Sequence, residues 1–190
     1  MKKSGWQVLA TRSSSFLLLL YVDLWLIFSM GYTTEFEGRI YIEPPLSQDE
    51  LKYLRLFVGT RRMRCVQGAY YVGREGFMGQ DNGPDVLDYN EPPEEQPGLW
   101  CQWTPTEDGS SLEWNGMEKF YCALVWMQYL IEHFLKPNAL ARQAHPEAFG
   151  FLQGHELNGL IQAQGDDPLD QWTLFVSENR VGMVGGHLRL

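Results

Sequence analysis

Leu99-Trp100-Cys101-Gln102-Trp103-Thr104-Pro105-Thr106-Glu107-Asp108-Gly109-Ser110-Ser111-Leu112-Glu113-Trp114-Asn115-Gly116-Met117-Glu118-Lys119-Phe120-Tyr121 is the stretch that decides the fold. Leu99–Thr104 and Ser111–Trp114 read as the arms of a β-hairpin, joined through Pro105 and a turn at Asp108-Gly109. Asn115-Gly116 then hands the chain to a helix expected over Met117–Leu135 and stopped by Pro137. Trp100 and Trp103 have opposite parity along the first arm, so one is expected in the core and the other under a helix or beside a pocket.

The helix is uneven around its axis. At about 100° per residue, Met117, Phe120, Leu124, Met127, Ile131, Phe134 and Leu135 form one apolar face. Glu118, Lys119, Gln128, Glu132, His133 and Lys136 lie opposite, yet Cys122, Val125, Trp126 and Tyr129 fall among them. A helix with apolar residues on its far side is covered by something. Cover from within the chain is the favoured expectation; the alternative is an aromatic interface at Trp126 and Tyr129 that makes a homodimer.

Outward from this stretch, Glu35–Glu43 alternates, with Phe36, Ile40 and Ile42 on one face, and Pro44-Pro45 ends it. Ser47 and Glu50 form a capping box for a helix carrying Leu51, Leu54 and Val58 and ending near Gly59, with Leu46 placed to staple onto Leu51. Ala69–Val72 reads as a short strand and Asn138–Gln153 as an irregular linker. Leu157–Ala163, Gln171–Ser177 and Arg180–Val184 read as an antiparallel meander with turns at Gly165–Pro168 and Glu178-Asn179. The sum is an α+β fold: an antiparallel sheet with two helices packed on one face, in the order strand, helix, strand, hairpin, helix, three-strand meander.

The domain is expected to span residues 30–184, with 185–190 a tail. Residues 1–29 are an apolar leader that does not match the rest: Lys2 and Lys3 precede Phe16–Phe28, which Asp23 interrupts. A signal peptide lacks its small-residue cleavage site here, and a membrane span needs about 20 apolar residues. The favoured reading is that translation starts at Met30, with a signal or anchor as the alternatives.

A hydrophobic fraction of 44% supplies a core, and a formal net charge of -9 disfavours nucleic acid as a partner. Cys65, Cys101 and Cys122 form neither a disulfide framework nor a metal motif, which fits a reducing, cytoplasmic location. No membrane association is expected unless the leader is retained.

Gly73–Gly98 has no periodicity and is rich in Gly, Pro, Asp and Glu; loops longer than about 12–15 residues are usually functional or disordered. Its glycines are not a dinucleotide fingerprint, and Asp81, Asp85, Asp88 and Glu91 miss the calcium-loop spacing at Gly83. No metal and no cofactor is expected. Arg61, Arg62 and Arg64 follow the first helix and read either as a solvated cluster or as holders of a carboxylate or phosphate. Among the histidines His133, His145, His155 and His187, His155 beside Glu156 is the best acid–base candidate, although strand neighbours point to opposite faces. No nucleophile elbow exists.

Several segments resemble motifs of an uncharacterised family of small bacterial and phage proteins. They are Met30-Gly31-Tyr32-Thr33-Thr34-Glu35-Phe36-Glu37-Gly38, Thr60-Arg61-Arg62-Met63, Gly76-Phe77-Met78-Gly79-Gln80-Asp81, Gly98-Leu99-Trp100-Cys101-Gln102-Trp103 and Gln162-Ala163-Gln164-Gly165-Asp166-Asp167. The resemblance covers about residues 30–184 and implies a start at Met30; it carries no activity, cofactor or catalytic residue.

The expected function is non-enzymatic binding of a protein or small ligand through Asp81, Asp85 and Asp88 of the loop and Trp103, Trp126 and Tyr129. The rival is a small hydrolase or transferase in which Arg61 and Arg62 hold an anionic small molecule and His155 or an acidic residue of the loop acts as base.

Overall fold

The hairpin expected from Leu99–Trp114 sits at the edge of a six-stranded antiparallel sheet. In this computed structural model, residues 32–185 are described; the leader and residues 186–190 of the tail lie outside them. The strands are β1 (Thr34–Glu43), β4 (Trp103–Pro105), β5 (Ser111–Trp114), β6 (Glu156–Gly165), β7 (Gln171–Ser177) and β8 (Arg180–Gly185), in spatial order β4-β5-β1-β6-β7-β8. The tail's first residue, Gly185, is still in the sheet, opposite Trp172.

β1 is the central strand. It pairs with β6 along its whole length, Thr34 opposite Gly165 through Glu43 opposite Glu156, and with β5 at Ile40 and Tyr41. Its even residues Phe36, Ile40 and Ile42 are buried, as its alternation requires. Leu112, Leu157, Ile161, Leu174 and Val176 complete the covered face. Gly38 and Gly159 allow β1 and β6 to approach: a Cβ at Gly38 would lie 2.4 Å from the Leu160 carbonyl oxygen, and one at Gly159 2.4 Å from that of Arg39.

Helix α1 (Gln48–Val58) starts as its sequence dictates. Ser47 accepts from the Glu50 N–H, and the Glu50 side chain accepts from the Ser47 N–H at 2.9 Å. Leu51, Leu54 and Phe57 press onto the sheet. The second helix differs from expectation. Lys119 and Cys122 adopt positive φ, so 117–122 is not helical and α2 runs Ala123–Leu130, continuing as a π-helical turn over Ile131–Leu135. Phe120 nonetheless reaches the core, edge-on to Trp103 and Phe36, while Met117 is left half-exposed.

Two other expectations are corrected. Ala69-Tyr70 forms a turn and Tyr71-Val72 has no regular structure, and the linker carries two short helices, α3 (Leu140–Ala144) and α4 (Pro146–Phe149). The long loop is not structureless: β3 (Val86–Asp88) pairs with β2 (Arg64–Cys65) in a separate ribbon. Its backbone groups find partners there, which answers the hydrogen-bonding demand of a long chain segment. No helix among the described residues is long and apolar enough to cross a membrane.

Candidate functional site

The arginine run after α1 organises the acidic loop. The extended segment 61–64 donates backbone hydrogen bonds to two separated parts of it and to the residue just after it: Arg61 N–H to Met78, Arg64 N–H to Glu91 and Arg62 N–H to Leu99. The side chains then diverge. Arg61 donates to the Tyr89 carbonyl at 3.1 Å and lies over the Tyr89 ring, 4.4 Å from its centre. Arg64 pairs with Asp88 and, at 3.3 Å, with Glu91. Arg74, nearly buried, faces Asp85 at 3.6 Å. Arg62 turns inward and is almost fully buried, donating to the carbonyls of Ala69 and Tyr71 and to Gln96 Oε1. The expectation of a solvated cluster thus fails at Arg62, because the carbonyls of Ala69 and Tyr71, just before the loop, and the Gln96 side chain within it surround it.

Held in this way, the loop presents apolar side chains to solvent. Phe77 is 81% exposed, on a turn in which Met78 has φ 52° and Gly76 leaves room for the Asp81 carboxylate. Leu87 and Val66 stand exposed on the β2–β3 ribbon. Asp81 is exposed, and Asp85 and Asp88 are half-buried beside their arginines. An exposed apolar patch rimmed by polar residues is a marker of interaction surfaces.

The aromatic residues expected at this surface are elsewhere. Trp103 is fully buried, and its indole N–H donates to the Ala123 carbonyl at 2.8 Å. Trp126 is also fully buried and Tyr129 nearly so; Phe57 of α1 covers both, with Tyr129 stacked on it. On the far side of α2, Trp126 and Tyr129 are therefore covered from within the chain, while Cys122 and Val125 are exposed. The homodimer face expected at Trp126 and Tyr129 is not at the surface.

His155 is not beside Glu156 in any chemical sense. It is buried, with Nδ1 2.7 Å from the Pro44 carbonyl oxygen and Nε2 3.0 Å from Glu50 Oε1. Both ring nitrogens face acceptors, so the geometry calls for a proton on each and a cationic ring. Burial alone would push its pKa down, but the Glu50 and Pro44 hydrogen bonds and the Glu50 charge raise it. Burial likewise opposes the Glu50 carboxylate, yet hydrogen bonds from His155, the Gln153 N–H and Ser47 hold its pKa at about 2. Sealed from solvent, this pair ties the start of α1 to the start of β6. It is not placed to meet a substrate, which corrects His155 as a base.

The sequence reading missed a cleft of about 550 Å³ at one end of the sheet, lined by Glu35, Glu37, Trp114, Gln162, Gln171 and Trp172 among others. Its residues come from five strands, β1, β5, β6, β7 and β8, and only the register brings them together. With two carboxylates and no arginine or lysine on its walls, it does not suit the anionic small molecule of the enzyme reading. Among the described residues, no three His, Cys, Asp or Glu side chains are grouped to hold a metal ion.

No family model, curated protein or solved structure matches this chain.

Proposed function

We propose that this chain is a non-enzymatic, cytoplasmic binding protein of bacterial or phage origin, whose arginine-anchored acidic loop docks on a basic surface of a partner protein. The observation that carries this reading is Phe77. A large aromatic ring at 81% exposure sits on a loop pinned by four arginines, with Asp81, Asp85, Asp88 and Glu91 in the same loop. A rigid aromatic anchor loses little conformational freedom on binding and commonly dominates interface energy. The carboxylates would steer a basic partner and set the salt dependence of association.

The experiment is affinity capture from a bacterial lysate, followed by calorimetry on the purified captured protein with wild type, Phe77→Asp and Leu87→Asp. The expected result is binding that weakens with salt and falls at least about tenfold in the Phe77 variant, or about 1.4 kcal/mol. Equal affinity in both variants, or a partner whose contact surface is acidic, refutes the reading.

A second reading rests on the cleft. Half-exposed Trp114 and Trp172, both edge-on to Phe36 on one face of the sheet, suit a neutral polyhydroxylated ligand, which stacks on indoles. Trp172→Ala should abolish any quenching of tryptophan fluorescence by such a sugar; unchanged quenching removes this reading.

A further inference from the structure

Arg62 is a buried cation without a buried anion. Its side chain stacks over Phe57, 4.2 Å from the ring centre, and every partner it has is neutral: two carbonyls and an amide oxygen. No ion pair to Arg62 is formed among the described residues; Asp85 faces Arg74, and Asp88 and Glu91 pair with Arg64. Its Nη1 is buried and has no protein acceptor among the described residues. A guanidinium stays protonated, so burial without a counter-charge is costly.

A second donor stands in the same condition nearby. The indole Nε1 of Trp126 is buried with no protein acceptor. Both groups border the same short segment: Arg62 N–H bonds the Leu99 carbonyl, and a Cβ at Gly98 would lie 3.8 Å from Trp126 Nε1. Both also pack on Phe57, as does Tyr129. Gln96 joins the group, accepting from Arg62 Nε and donating to the Tyr129 oxygen at 3.0 Å, so that the Tyr129 hydroxyl proton is available to donate. Two buried donors here, Arg62 Nη1 and Trp126 Nε1, have no protein acceptor among the described residues, and one of them belongs to a charged group.

We infer that Arg62 Nη1, Trp126 Nε1 and the Tyr129 hydroxyl form a buried site for a small inorganic monoanion of halide size. The anion neutralises Arg62 and accepts from donors that the protein leaves unpaired. A water could satisfy the same hydrogen bonds but would leave the charge uncompensated. Because the arginine also holds the Ala69 and Tyr71 carbonyls, the anion would brace the root of the acidic loop.

The probe is bromide. Thermal unfolding of the full chain is followed in sodium bromide and in sodium gluconate at one ionic strength, for wild type and Trp126→Phe, which removes the indole donor while keeping an aromatic ring. Bromide is expected to raise the wild-type Tm saturably, by about 3–5 °C at tenfold excess over its Kd, and to raise that of the variant by less than half as much. Crystals grown in bromide should show its anomalous signal between Arg62 Nη1 and Trp126 Nε1. This second measurement stands even if the variant folds poorly. Equal Tm values in the two salts with no anomalous signal at the site would mean that these donors meet water, and the inference falls; a bromide bound only elsewhere overturns it too.

Discussion

Replacing Glu50 by glutamine tests the buried pair that joins α1 to β6. The carboxylate accepts from His155 Nε2 at 3.0 Å, from the Ser47 N–H at 2.9 Å, from the Ser47 hydroxyl at 2.7 Å and from the Gln153 N–H. Glutamine keeps one acceptor oxygen and turns an NH₂ group toward donors, which leaves at least one buried N–H unpaired, at about 1–3 kcal/mol. It also removes the negative charge beside His155; breaking a buried ion pair from one side costs about 3–5 kcal/mol. The pH dependence separates these effects. Glu50 is held at about 2 against an ordinary 4.5, so its contribution is complete above 4.5 and is lost as pH falls toward 2. His155 is raised above 6.5, so its contribution is complete below 6.5 and is lost as pH rises through its folded value. This pair therefore stabilises the wild type most between about pH 4.5 and 6.5. In the glutamine variant the buried imidazole has no carboxylate and is easier to accommodate once neutral, so the variant gains stability as pH rises. Urea unfolding followed by tryptophan fluorescence should show a deficit of about 3–5 kcal/mol at pH 5.5 that shrinks to about 1–3 kcal/mol at pH 9. An equal deficit at both pH values would refute the claim that His155 is charged against Glu50.

Other outcomes follow from single residues. Native protein should react with a thiol reagent at one cysteine, the exposed Cys122, and at all three in denaturant, because burial pushes the Cys101 thiol up to about 12 and Cys65 is also buried; three fast equivalents in native protein would contradict the burial. Gly159→Ala should cost about 1–3 kcal/mol in urea unfolding, since its Cβ would collide with the Arg39 carbonyl across the β1–β6 pair; a neutral effect would place the strands further apart. Trp103→Phe should cost about 1–3 kcal/mol by leaving a cavity and an unpaired Ala123 carbonyl, measured as a drop in urea midpoint. Phe77→Asp should change stability by less than about 0.5 kcal/mol, as expected of an exposed side chain; a large loss would mean that Phe77 serves the fold and not a partner.

The parts of this fold set by local chemistry were legible. Ser47 and Glu50 announce the start of α1, the alternation of β1 names its buried face, and Glu178-Asn179 is the expected tight turn between β7 and β8. The parts set by distant neighbours were not. The apolar spacing of Met117, Phe120 and Leu124 suits a helix, and nothing in it reveals that Lys119 and Cys122 reverse their φ so that Phe120 can join Trp103. Periodicity placed Trp126 and Tyr129 away from the main face of their helix but not the Phe57 ring that covers them. Arg62 is written in sequence like Arg61 and Arg64, and only the carbonyls of Ala69 and Tyr71 single it out. His155 and Glu50 are 105 residues apart, beyond any local pattern. In the acidic loop, composition pointed to function or disorder, and the arginine pairs decided for order.

The place of β1 in the middle of the sheet has a consequence for the living chain. This strand leaves the ribosome before both of its neighbours, and the residues that close its far end, Pro44 and His155, are separated by 111 positions. Until β5 and β6 are synthesised, Phe36, Ile40 and Ile42 lie on an unpaired strand with an apolar face. Pairings of such long range form slowly and leave nascent chains prone to self-association. Fragments truncated before β6 should therefore collect in inclusion bodies or on chaperones, and a synonymous recoding that slows translation between β1 and β6 should lower the soluble yield of a protein whose finished form is unchanged.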